Sequence, residues 1–147
     1  MATELELALF EEELETVQRL AEATRWKLER DLACPLGLFA EMHPRSAPAD
    51  MYKARIRWNN YFGPFSLKFI NLTTGSDSDP NAWPRCFGFR PGSLDACIAW
   101  TAEGHGHHPE WKNSAKNRFP DVEAPMQFAL FQIQSSLDNT YQGRGPQ

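Results

Sequence analysis

The chain has 147 residues, of which 41% are hydrophobic and 23% charged, with a net charge of −4. That supports one ordinary domain of α+β class spanning residues 1–147, leaves too little for a second core, and excludes the charge-heavy profile of a disordered protein. No apolar run approaches the ~18 residues needed to cross a bilayer, and the acidic first 15 residues do not read as a secretory signal, so a soluble, cytoplasmic protein with no membrane partner is expected.

Thr3 followed by Glu6 forms a capping box, which predicts a helix start. Leu7, Phe10, Leu14, Val17, Ala21, Thr24 and Leu28 then recur at alternating spacings of three and four, and Pro35 and Gly37 stand as the stop. The reading is a long amphipathic helix over 1–34. Such a helix would be roughly 45 Å long, more than a domain of this size is wide. Its seam is therefore expected to meet a second copy, making Leu7, Phe10, Leu14, Val17 and Leu28 self-association residues.

Residues 51–90 read as a small antiparallel sheet of about three strands. Tyr52, Ala54, Ile56 and Trp58 alternate with Lys53, Arg55 and Arg57, the period of a half-buried strand. Residues 65–72 make a second strand, and 85–90 a third. Two C-terminal helices follow, over 93–103 with Ser93 as its N-cap and over 125–142 with Pro125 in its first turn. The residues from Gly143 onward read as a frayed tail.

Charge is split along the chain: residues 1–50 hold 11 acidic and 5 basic side chains, residues 51–118 hold 5 and 9. Lys53, Arg55 and Arg57 form a candidate basic strand face, but the pI of about 5.5 gives no general case for nucleic acid, and none is expected as a partner. Asp77, Asp79 and Asn81 have the first spacings of a calcium loop and lack its glycine and closing glutamate, so Asx turns are the reading. Cys34, Cys86 and Cys97 show no metal-binding pair. Cys97 with a histidine suggests a thiol nucleophile, although the apolar stripe of a helix over 93–103 would make it a core residue.

His105, His107 and His108 fall within four positions. Imidazoles are the usual proton carriers near neutral pH and frequent zinc ligands, so these three are candidate ligands for zinc or another divalent ion, with no cofactor as the default expectation. The string His107, His108, Pro109, Glu110, Trp111 resembles the histidine pair of the pterin-4a-carbinolamine dehydratases, in which a helix leads into the histidines and a strand follows. That resemblance implies that His107 and His108 hold a hydroxylated tetrahydropterin and move protons as water leaves, without a metal. Residues 112–118 stand where that family has an apolar strand, and no histidine follows His108.

With no complete catalytic constellation in view, the leading expectation is a non-enzymatic protein-binding accessory or inhibitory module that self-associates. Its motivation is the seam, the split charge and the aromatic content, since aromatic and arginine residues anchor interfaces. The alternative is a small enzyme using the segment His107, His108 and Pro109.

Overall fold

Thr3 opens the first helix as expected: its hydroxyl accepts the Glu6 amide hydrogen at 3.1 Å, and the Glu6 carboxylate accepts that of Thr3 at 3.0 Å. In the computed structural model, which describes residues 2–20 and 25–147, this helix, α1, spans Glu4–Gln18. Phe10, Leu14 and Val17 are buried along one side of it, and the Phe10 ring meets Trp58 and Tyr61 edge-on at 6.0 and 5.6 Å.

Two expectations fail here. The helix does not reach residue 34: Lys27–Arg30 form a strand, β1, and Gly37 begins the next strand instead of stopping a helix. The physical reason is tertiary pairing, which overrides a periodicity that Leu28 satisfies equally well in a strand. The buried Trp26 Nε1 donates to Gln134 Oε1 at 2.8 Å and pins this segment to the last helix. Ala21 and Thr24 lie outside the described residues. The seam faces inward: Phe10, Leu14 and Val17 are buried in the chain's own core, with Leu7 and Leu28 partly buried against it.

Strands β1, β2 (Gly37–Met42), β3 (Tyr52–Trp58) and β4 (Phe65–Ile70) form a four-stranded antiparallel meander in chain order. The sheet thus begins well before residue 51. Leu38, Ile56 and Leu67 lie in one cross-strand row, with Ala40, Ala54 and Phe69 in the next, so the pleat gathers these apolar side chains on one face. α1 and the last helix, α3 (Pro125–Asn139), supply the facing layer, with Met126, Ala129, Leu130, Ile133 and Leu137 buried.

α3 begins at Pro125 as expected, but its N-cap, Ala124, has no side chain able to cap it. Glu13 of α1 does so instead, its carboxylate accepting the amide hydrogens of Met126 and Gln127 at 3.1 and 2.9 Å while also taking the Tyr61 hydroxyl hydrogen. A carboxylate is favoured there by the free donors and positive end of the helix dipole.

Between the sheet and α3, the third expected strand shrinks to Phe89–Arg90 (β5), which pairs with Asp95–Ala96 (β6) as a separate two-stranded ribbon. A helix over 93–103 is not present. Residues 91–93 make a 3-10 turn, Leu94 takes left-handed backbone at φ 57°, and helix α2 covers only Ala102–His107, with Thr101 as its N-cap. The tail is not frayed: the Arg85 guanidinium donates to the carbonyls of Gln142, Arg144 and Gly145.

Candidate functional site

The three clustered histidines diverge. His105 Nε2 donates to the Ala99 carbonyl at 2.6 Å, His107 Nε2 to Asp95 Oδ2 at 3.2 Å, and His108 Nδ1 to Glu110 Oε1 at 3.1 Å. The His108 ring also stacks on Trp111 at 4.4 Å. On a short helix, positions 105 and 107 point to different sides, so each ring finds a local partner. Among the described residues no group of three histidine, cysteine or acidic side chains is gathered that could hold a metal ion. After the histidine pair the chain enters a 3-10 turn, Pro109–Asn113, where the dehydratase resemblance implies a strand.

The basic strand face is already engaged. Arg57 Nε donates to Asp31 at 2.6 Å, a bond that raises the pKa of Arg57, and Arg55 pairs with Asp77 at 3.2 Å. Lys53 lies over the Phe39 ring at 4.8 Å. Asp79 caps the turn at Pro80 and accepts from Asn71, so the acidic loop at 77–81 is built of Asx turns.

What the fold does assemble is a polar cluster on the β5–β6 ribbon. Arg90 and Asp95 are directly paired in the register, and the Arg90 guanidinium grips the Asp95 carboxylate with two bonds of 2.8 and 2.6 Å. Burial alone would raise the Asp95 pKa, but the hydrogen bonds from Arg90 and His107 outweigh it, and the carboxyl is held below its ordinary range. An ionised carboxylate only accepts, so His107 Nε2 carries the proton and Nδ1 is the nitrogen left to take one.

Strand alternation then places the Arg90–Asp95 pair. Phe89 and Ala96 face each other and are both buried, so Arg90 and Asp95 occupy the opposite face, Arg90 exposed and Asp95 itself buried. The Cys97 amide hydrogen donates to the Gly88 carbonyl at 2.8 Å, one residue beyond the paired strands. Gly88 is at φ +80°, and an added Cβ would press on Ile98 at 3.2 Å. Cys97 is half-buried and forms no disulfide.

Cys86, by contrast, is buried, and desolvation pushes its thiol up to about 12. The cluster of Arg90, Asp95 and His107 was reachable from sequence only in fragments. His107 stood out, but no spacing rule links residues 90, 95 and 107; the ribbon brings them together. The left-handed backbone of Leu94, in a non-glycine residue, costs roughly 1–2 kcal/mol and is more frequent at functional sites than elsewhere.

No helix among the described residues is long and apolar enough to cross a membrane. The chain matches no protein-family model, no curated protein and no solved structure.

Proposed function

We propose that this chain is a thiol-dependent acyl-transfer protein acting on a macromolecular partner, with Cys97 as nucleophile and His107 as proton carrier. The observations that support this reading are the half-buried free thiol of Cys97, two residues along the chain from Asp95, and the bond by which Asp95 orients His107. A thiol, a base and an orienting acid are the parts nucleophilic catalysis needs. Arg90 and Asp95 are positioning residues.

The chemistry balances without an oxidant. Cys97 Sγ gives its proton to His107 Nδ1 and attacks the carbonyl of an acyl thioester; the donor's C–S bond breaks, and the departing thiolate takes the proton from His107. An acceptor amine then displaces the acyl group from Cys97, forming a C–N bond and restoring the thiol with the amine's proton. The openness of the site favours large reactants. The side chains of Arg90 and His107 are 44% and 54% exposed, and Phe87, next to Gly88, is 76% exposed, a ready interface anchor.

That exposed Phe87 equally favours a second reading, a non-enzymatic protein-binding module. Incubating the intact protein with a small glycyl thioester and locating the adduct by mass spectrometry separates the two. Under the transfer reading Cys97 acquires the acyl group, Cys97→Ala does not, and an added amine discharges it. Equal modification of Cys34, or none at all, leaves only the binding reading.

A further inference from the structure

On the other side of α2 from the ribbon lies an open cleft of about 540 Å³, lined by Pro64, His105, Gly106, Pro109, Lys112, Arg118 and Phe119. Three of its features point to one ligand chemistry. The first is charge: Lys112 and Arg118 line it, and no lining residue is acidic. Among the described residues every other arginine holds a carboxylate, a backbone carbonyl or an aromatic ring, whereas Arg118 and the neighbouring Lys112 and Lys116 have no such partner. Among the described residues the cations left without any of these partners cluster on this one loop.

The second feature is an apolar, flat wall made by Pro64, Pro109 and Phe119, the last anchored edge-on against Phe128 at 5.6 Å. The third is rigidity. His105 is fixed by its bond to Ala99 and by an edge contact with Trp111 at 5.3 Å, so the wall is formed before any ligand arrives. Gly106 keeps the mouth open, since a Cβ there would meet nothing within 4 Å.

We propose that this cleft binds a small planar organic anion, an aromatic carboxylate, with the ring against Pro109 and Phe119 and the carboxylate between Lys112 and Arg118. The site is independent of Cys97. The probe is naphthalene-2-carboxylate, titrated into the full-length protein and followed by NMR, with naphthalene-2-carboxamide as the uncharged control.

Saturable binding is expected, with shifts at His105, Gly106 and Phe119. The carboxamide and the Arg118→Glu variant should each bind at least about tenfold more weakly. Gly106→Leu fills open space on a helix and should abolish binding with the melting temperature kept or raised. Cys97→Ala should bind as the unmodified protein does. Absence of saturable binding up to about 10 mM, equal affinity for the carboxamide, or binding unaffected by Arg118→Glu would each overturn the proposal.

Discussion

Gly88 and Cys97 stand opposite each other across the small ribbon, joined by a 2.8 Å bond from the Cys97 amide to the Gly88 carbonyl. Cys97 is half-buried, whereas Cys86 is buried. Iodoacetamide should therefore modify Cys97 in the native protein, while the buried Cys86, its thiol held protonated to about 12, should react only after unfolding. Peptide mapping over a time course checks this; equal native rates at Cys86 and Cys97 would be inconsistent with the packing described.

Glu13 ties α1 to the start of α3 through two amide hydrogens and the Tyr61 hydroxyl. Its removal leaves all three donors without an acceptor in a half-buried place. Glu13→Ala should lower stability by about 2–3 kcal/mol, with Glu13→Gln losing less because its carbonyl oxygen still accepts. Urea denaturation monitored by tryptophan fluorescence measures both.

Asp138 gathers Arg25, the Arg45 backbone and Gln134 around one carboxylate. Burial pushes its pKa up, but these hydrogen bonds prevail and the net shift is downward. A carboxyl with a lowered folded-state pKa contributes stability that is fully present above its unfolded value, near 3.9, and is lost as pH falls through the folded one. Denaturation free energy should thus drop on acidification from about pH 5 to pH 3, and Asp138→Asn should flatten that drop while lowering stability at neutral pH. An identical acid slope in the variant would assign the loss to other groups.

Leu14 and Val17 lie against the chain's own sheet and α3, so Leu14→Asp should unfold the protein rather than separate subunits. The expected loss is at least about 3 kcal/mol, that of an unpaired charge in an apolar core. Circular dichroism together with sedimentation distinguishes the outcomes; a folded, smaller species would restore the self-association reading.

The parts of the fold legible in the sequence were those encoded locally. Thr3 and Glu6 carry their own helix start, Tyr52 to Trp58 carries its own alternation, and Pro125 with the stripe to Leu137 carries α3. Residues 19–34 misled because Leu28 satisfies two periods, and what decides between them is the partner strand around Ala40. Ser93 failed as a cap because the Arg90–Asp95 pair reverses the chain and moves the helix start to Thr101. The candidate site was half visible for the same reason. His107 is conspicuous in sequence, but its bond to Asp95 arises only once the ribbon is formed.

If His107, oriented by Asp95, takes the Cys97 proton, Cys97 is a better acyl acceptor than an ordinary thiol. The most direct measurement is the second-order rate of acyl transfer from a glycyl thioester to the intact protein at neutral pH, compared with free cysteine and with His107→Ala and Asp95→Asn. The expected rate is at least about tenfold above free cysteine, falling to the free-cysteine level in His107→Ala and partway in Asp95→Asn. A rate equal to that of free cysteine, unchanged by either substitution, would contradict it.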